Sequence, residues 1–209
     1  MDLIFSLVVL ILSVILHEVA HGYMANWLGD PTARLQGRLT LNPLSHIDPV
    51  GSILLPALLV FTKSSFLIGY AKPVPYNPHN LSGKYDEALV AGAGPATNLL
   101  LALVFALCIR FGAVAMTVPM LSAFGTIVYI NLMLALFNLI PIPPLDGSKI
   151  LSGILPGGLG RTYELFRHNF ERIGLFSNII IVYILFILFQ PYFTAALQGL
   201  FGLLTGVSI

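Results

Sequence analysis

The sequence has little charge and almost no cysteine. Charged residues make up 9% of its 209 positions, whereas a typical soluble domain is about 25% charged. This deficit excludes an ordinary soluble domain, and the net charge of +1 gives no sign of a nucleic-acid-binding surface. The single cysteine excludes a disulfide within the chain. Hydrophobic residues occupy 57% of the positions and form runs long enough to cross a bilayer, so the sequence predicts an all-α polytopic membrane protein.

Three apolar runs in the first part of the chain each predict a spanning helix: 3–28, 88–109 and 121–140. We therefore expect residues 1–150 to form a membrane-embedded core. Residues 151–177 carry aromatic side chains at helical spacing between charged ones, which predicts an amphipathic helix lying on the membrane surface. Residues 178–209 are apolar but interrupted by a proline, and they predict either one kinked span or a short helical hairpin.

Shorter elements are predicted between the first two spans. Residues 51–61 are apolar, but the run is too short to cross a bilayer and contains Pro56, so we expect a re-entrant or half-inserted helix. Residues 37–41 and 66–71 each have the composition of a short β-strand. These strands would either pair with an extended substrate or form an ordinary hairpin that covers a site.

The strongest chemical signal is a pair of histidines inside the first apolar run. Residues four apart lie on one face of a helix, so His17 and His21 can bind one metal ion, and this spacing suits zinc. Glu18 lies beside that face, where it is a candidate general base for a zinc-activated water. The alternative is that both histidines are buried hydrogen-bonding residues. Ionisable side chains in a membrane-spanning helix usually mark a functional site, which favours the metal.

A catalytic zinc ion usually has three protein ligands and one water molecule, so a third ligand must come from elsewhere in the chain. Asp146 is the preferred candidate because it follows the third span and lies on a sharp, proline-rich turn. Without a metal-binding helix nearby, the same Leu-Asp-Gly sequence would be an everyday turn. The other candidate ligands lie between the first two spans: Asp30, His46, Asp48 and His79.

Three motifs together resemble the site-2 protease family of intramembrane zinc metalloproteases. They are the His17-Glu18-x-x-His21 motif, the Gly-Pro-Ala-Thr-Asn sequence at 94–98, and the Asn-Leu-Ile-Pro-Ile-Pro-Pro-Leu-Asp-Gly sequence at 138–147. The resemblance covers residues 1–150 and points to the compact prokaryotic branch without PDZ or CBS domains. It implies a three-span catalytic core, one zinc ion held by both histidines and Asp146, and cleavage of substrate transmembrane segments.

The resemblance also implies that Asn98 lies near the active site, where it would steady the substrate or the oxyanion. The residue itself puts an amide at membrane depth in the second span, where a polar group needs a partner. Asn98 is therefore a candidate catalytic donor to a tetrahedral oxyanion. The alternative is a hydrogen bond between two helices.

The distribution of basic residues predicts the orientation in the membrane. If residues 51–61 do not cross, the first and third spans are parallel, so His17 and Asp146 lie near the same membrane face. Nine of the ten Lys and Arg residues then lie on that side, and Arg110 lies opposite. The positive-inside rule makes that side cytoplasmic, so we expect a multi-pass protein of a prokaryotic plasma membrane with its site nearer the cytoplasmic face.

We therefore expect an intramembrane zinc endopeptidase whose partners are transmembrane protein substrates and the lipid bilayer, with no nucleic acid. Two alternatives remain. A membrane-binding protein that kept the fold but lost catalysis is disfavoured by the intact Glu18 and the full set of proposed ligands. An ion transporter is disfavoured because the sequence shows no clear internal repeat.

Overall fold

The structure, a computed structural model, describes residues 3–49, 61 and 71–207. The α-helices in this part of the chain are α1 Leu3–Trp27, α2 Thr32–Leu35, α3 Asp86–Gly112, α4 Val118–Asn138, α5 Asp146–Ile154, α6 Gly157–Arg172 and α7 Leu175–Thr205. No strand occurs among the described residues, in agreement with the all-α prediction. The predicted re-entrant helix at 51–61 and the predicted strand at 66–71 lie outside these residues, apart from Phe61 and Ala71.

Four of these helices are long and apolar enough to cross a membrane: α1, α3, α4 and α7. Three of them match the spans predicted for residues 1–150. The fourth, α7, continues through Pro191 as one helix, so the C-terminal part is a single helix rather than a hairpin. A proline inside a helix removes one backbone hydrogen bond, whereas a chain reversal within lipid would leave several backbone groups without partners.

Helix α3 is the centre of the bundle and packs against α1, α4, α5 and α7. Two of its side chains in the apolar core are small, Ala102 and Ala106, and both are fully buried. They pack with Val128 and Leu132 of α4 and with Phe201 of α7. Small residues allow helix backbones to approach closely in lipid, which increases the dispersion contacts between them. Helices α1, α3 and α4 also contact one another in pairs, so their polar residues can meet inside the bundle.

Contacts at opposite ends of the bundle fix the direction of each span. At one end Asp146, just beyond α4, contacts His17 and His21 in the C-terminal half of α1. At the other end the Arg110 guanidinium, near the end of α3, donates to the Leu203 carbonyl, near the end of α7, at 2.7 Å. Helices α1 and α4 therefore run in one direction and α3 and α7 in the other. This is the parallel arrangement predicted for the first and third spans.

The strand predicted at residues 37–41 is wrong, because this segment is irregular. Its backbone has partners other than a neighbouring strand. The N–H groups of Gly37 and Arg38 donate to carbonyls of α2 at 3.0 and 2.9 Å, and the His46 ring lies 2.8 Å from the Thr40 carbonyl oxygen. A backbone carbonyl that already has a side-chain partner does not need a strand ladder.

Helix α6 lies within residues 151–177, where an amphipathic helix was predicted. Its aromatic side chains follow one another along one side. The ring centroids of Tyr163 and Phe166 are 5.9 Å apart, and those of Phe166 and Phe170 are 5.8 Å apart. An ion pair of 2.8 Å between Arg167 and a glutamate in the first turn of α3 attaches the helix to the bundle. Its position on the membrane surface stays a prediction.

Candidate metal centre

Two histidines of α1 and the first residue of α5 form a compact group, which we name the cluster. The ligand atoms of His17, His21 and Asp146 all lie within 4.8 Å of one another. Nε2 of His17 and Nε2 of His21 are 3.1 Å and 3.4 Å from the same oxygen, Oδ2 of Asp146. The two imidazoles come from successive turns of α1, and their centroids are 4.7 Å apart. The structure thus brings together the three ligands that the sequence predicted.

The outer nitrogen of each imidazole is held by a partner on α3. Nδ1 of His21 lies 2.7 Å from the Val90 carbonyl oxygen, which can only accept, so this Nδ1 carries a proton. Nδ1 of His17 lies 2.6 Å from Oδ1 of Asn98. When Nδ1 carries the proton of a neutral imidazole, the Nε2 lone pair points at the cluster, as in metal-ligating histidines. The donor set therefore fits a metal ion.

Gly94 allows α3 to pack directly against both imidazoles. A Cβ atom at this position would lie 2.5 Å from Nε2 of His21 and 2.6 Å from Nε2 of His17. No side chain fits there without moving the rings. Gly92, two residues earlier, is different, because its nearest neighbour would be a side-chain atom of Ile150 at 4.0 Å. The run of small residues in the second span therefore includes one position where glycine is needed for α3 to pack against both imidazoles.

Asp146 begins α5 after the proline-rich turn that follows α4. A side chain at Gly147 would overlap the Leu139 carbonyl, so glycine allows this turn to fold back against the end of α4. Burial by itself would raise the pKa of the Asp146 carboxyl. Without a metal ion, hydrogen bonds and positive charge from the protonated forms of His17 and His21 outweigh this effect and hold the pKa well below its usual range. The carboxylate is then ionised, and a cation that displaces the protons from both Nε2 atoms would meet it.

Residues 71–77 form an irregular segment beside the cluster, which we name the strap. The Val74 N–H donates to Oε2 of Glu18 at 3.0 Å. The side chain of Val74 is 5% exposed and packs against α1. A Cβ atom at Gly22, one turn after Glu18, would come 2.7 Å from Val74, so the glycine provides the space for this contact. The strap therefore packs on the face of α1 that carries Glu18.

Buried side chains fix both ends of the strap. Asp30 is fully buried, and its carboxylate accepts from the Asn77 N–H at 2.7 Å and from the Asn80 amide at 2.6 Å. Burial would raise the pKa of Asp30, but the hydrogen bonds from its neighbours keep that pKa below its usual value. At the other end the guanidinium of Arg38 donates to the carbonyls of Lys72 and the next residue at 2.9 and 3.3 Å.

The remaining predicted ligand candidates lie outside the group of three: Asp30, His46, Asp48 and His79. The Asp30 carboxylate holds the strap, as described above. His46 is buried and contacts the Thr40 carbonyl. His79 is exposed on a short 3-10 turn. These residues precede the second span in the chain, whereas the acidic residue in the group of three, Asp146, follows the third.

A cavity of about 200 Å³ opens beside the cluster, and Glu18, Tyr76 and Lys149 line it together with the three ligands. Nζ of Lys149 lies 5.0 Å from the centroid of the Tyr76 ring. Burial would lower the pKa of Lys149, but Tyr76 and nearby carboxylates raise it above its usual value. The ammonium group therefore stays protonated in the cavity. Sequence reasoning missed Lys149, although its position three residues after Asp146 places both on one helix face.

Asn98 lies behind His17, among buried side chains. It is fully buried, and its amide nitrogen donates to Oδ1 of Asn131 on α4 at 2.9 Å. This is the hydrogen bond between helices that formed the alternative interpretation of Asn98. Its role as an oxyanion donor stays a prediction. Asn131 was not a candidate site residue, because an isolated asparagine in an apolar helix does not reveal its partner.

The sequence is similar to a family of peptidases. A model of peptidase family M50 matches residues 111–185. The protein named "Putative zinc metalloprotease YwhC" of Bacillus subtilis is 42% identical over 165 residues, which cover 74% of this chain and 71% of that protein. Rip2 proteins with the same description, from Mycolicibacterium smegmatis and Mycobacterium tuberculosis, are 33% and 30% identical over 142 residues, or 68% of this chain. The match spans 53% of the length of each Rip2, and no solved structure matches the chain.

Proposed function

The chain belongs to peptidase family M50, the site-2 proteases, and on this basis we propose that it is a zinc-dependent intramembrane endopeptidase. The proposed reaction is the hydrolysis of peptide bonds in or near transmembrane segments of membrane proteins. One observation supports the proposal most strongly. The ligand atoms of His17, His21 and Asp146 lie within 4.8 Å of one another, at a cavity that Glu18 also lines.

One zinc ion per chain fits the donor set of this cluster. Two imidazole nitrogens and one carboxylate oxygen are typical ligands of a catalytic zinc site that keeps one position open. The partners on α3 hold the Nδ1 atoms of His17 and His21, so both Nε2 atoms face the Asp146 carboxylate. When bound, zinc supplies Lewis-acid chemistry, which activates water and polarises a carbonyl group.

Glu18 is the proposed general base. Its carboxylate accepts one hydrogen bond from the Val74 N–H, and a carboxylate has several further lone-pair sites for a water molecule. In the proposed reaction Glu18 takes a proton from the attacking water and passes it to the leaving amine. The bond to Val74 supports this role because it holds the carboxylate in one orientation while the proton moves.

The open side of the cavity is the proposed place of substrate binding. A transmembrane helix pairs its own backbone groups, so a substrate must unwind locally before a peptide bond can be attacked. The freed carbonyl groups then need donors, and Lys149 and Tyr76, whose side chains carry an ammonium and a hydroxyl group, both line the cavity. We assign these two residues to substrate binding. The excess of basic residues on the same side supports a site nearer the cytoplasmic face.

To test the proposal, the zinc content of the purified full chain and its cleavage of a model transmembrane substrate are compared with those of the Glu18→Gln variant. We expect one zinc ion per chain in both proteins and cleavage only in the unsubstituted one. Bound zinc without Glu18-dependent cleavage would instead identify a binding protein. Zinc flux into vesicles that survives Glu18→Gln would identify a transporter. Either result contradicts the proposed protease.

A further inference from the structure

A buried chain of hydrogen bonds joins three spanning helices directly behind His17. Asn98 and Asn131 are both fully buried. The amide nitrogen of Asn98 donates to Oδ1 of Asn131 at 2.9 Å. The amide nitrogen of Asn131 donates in turn to Oγ of Ser13 at 3.0 Å and to the Ile127 carbonyl at 2.9 Å. The hydrogen bonds therefore connect α4, through α3, to the His17 imidazole on α1.

The Ile127 carbonyl, at the α4 end of these hydrogen bonds, decides which group donates and which accepts in each of them. The Ile127 carbonyl can only accept, so the amino group of Asn131 faces it and the carbonyl oxygen of Asn131 faces Asn98. That oxygen also only accepts, so Asn98 turns its own amino group toward it. The Ser13 carbonyl, 3.4 Å from the same Asn98 nitrogen, requires the same orientation. Oδ1 of Asn98 must then face His17, and Nδ1 of His17 must donate.

Reversal of either amide would leave buried groups without suitable partners. If Asn98 were reversed alone, its oxygen would face the oxygen of Asn131, and its amino group would face Nδ1 of His17. Nδ1 would then have to accept, and the neutral imidazole would carry its proton on Nε2, the atom that faces Asp146 and His21. Such a ring has no lone pair to offer a metal ion at that atom.

We propose that Asn131 is a positioning residue for the metal centre, acting through Asn98 to keep Nε2 of His17 available as a ligand. The inference rests on the proposed function, because it assumes that His17 binds zinc. His21 has no counterpart to this chain, since a backbone carbonyl already holds its Nδ1 in one orientation. The amide of Asn98 can rotate, and Asn131 and Ser13 restrain it.

The zinc affinity of the purified full chain, measured by competition with a chelator, tests this order of action. We expect weakening by about 100-fold for Asn98→Leu, about tenfold for Asn131→Leu and about threefold for Ser13→Ala, because supporting residues of metal ligands typically contribute 10–100-fold. Thr97→Val is the matched control on α3, since it removes only a hydroxyl bond to the Ala93 carbonyl within the same helix. It should bind zinc as the unsubstituted chain does.

The double variant Asn98→Leu with Asn131→Leu is the decisive comparison. If Asn131 acts through Asn98, the double variant binds zinc no more weakly than Asn98→Leu alone. If Asn131→Leu does not fold, Ser13→Ala combined with Asn98→Leu provides the same comparison. The inference is overturned if Asn131→Leu lowers only the unfolding temperature and keeps a zinc affinity within twofold of that of the unsubstituted chain. It is also overturned if the loss of zinc affinity in the double variant equals the product of the losses in the two single variants. A lack of zinc binding in the unsubstituted chain would overturn the proposed function as well.

Discussion

The metal cluster has a closed side and an open side, and the two are built differently. Behind His17, the asparagines at 98 and 131 are fully buried, and each donates from its amide nitrogen to partners on the spanning helices. In front of the cluster, a cavity of about 200 Å³ is lined by charged groups, including Glu18 and Lys149. The difference separates two requirements. The closed side fixes the ligand geometry, and the open side provides room for water and substrate.

The two sides also differ in what holds them in place. The closed side is formed by spanning helices that pack against one another through small residues. The open side includes the strap, an irregular segment that is held by Asp30 at one end and Arg38 at the other. Irregular segments have less packing to lose when they move. Changes on the closed side should therefore affect metal binding, whereas changes on the open side should affect turnover.

The largest effect is expected for Asp146→Ala, which removes the proposed carboxylate ligand. The folded variant should contain far less than one zinc ion per chain and show no cleavage, because two imidazoles alone are an incomplete ligand set. Metal analysis of the purified protein measures this. His79→Ala is the control, since His79 was a predicted ligand candidate that lies outside the cluster. One zinc ion per chain in Asp146→Ala would remove this residue from the site.

Gly94→Ala should be the next most severe change and should act on the closed side. The new methyl group would overlap both imidazoles, so we expect zinc affinity to fall by about 100-fold, the upper end of the range for altered support of a metal ligand. Gly92→Ala is a matched control on the same helix, because its Cβ atom meets nothing closer than 4.0 Å. Equal zinc affinities in the two variants would show that α3 does not constrain the rings.

Lys149→Met sharpens the comparison from the open side. The variant should keep its zinc ion but cleave at least about tenfold more slowly, since a hydrogen bond from a charged donor contributes about 1.5–3 kcal/mol. Lys84→Met is the matched control, because Lys84 lies 5.0 Å from the centroid of the Tyr85 ring but is exposed and outside the cavity. Loss of zinc from Lys149→Met would mean that this lysine supports the ligands rather than the substrate.

The smallest effect is expected for Asp30→Asn, which weakens one end of the strap. The variant should bind zinc normally, become more sensitive to limited proteolysis near residues 71–80, and change its cleavage rate only a few-fold. Asp86→Asn is a suitable control, since Asp86 also accepts a backbone N–H, that of Gly83 at 2.7 Å, but at the start of α3. If both variants were digested at the same rate and site, Asp30 would not be what holds the strap.

The sequence alone identified much of the closed side. The spans follow from long apolar runs, and the histidine pair follows from the helical repeat, because both signals are local. The third ligand required a topological argument in which the first and third spans are parallel, and the fold agrees with it. Asn131 was visible as a polar residue in an apolar helix. Its connection to Asn98, which lies 33 positions away on another helix, was not.

The open side was harder to predict, because it depends on contacts between distant irregular segments. The bond between Val74 and Glu18 joins positions 56 residues apart, and no periodic pattern marks either end of it. Residues 37–41 have the composition of a strand, yet bonds to the backbone of α2 and to the His46 ring take the place of the expected ladder. Gly22 was recognisable as a small residue. Only the packed structure shows that Val74 of the strap approaches it.

The central claim is that His17, His21 and Asp146 bind one zinc ion. An anomalous difference map, recorded at the zinc absorption edge from crystals of the purified full chain, tests it most directly. We predict one strong peak bonded to Nε2 of both histidines and to the Asp146 carboxylate, beside the cavity that Glu18 lines. A peak bonded to other side chains, or no peak between these three residues in zinc-containing crystals, would contradict the claim.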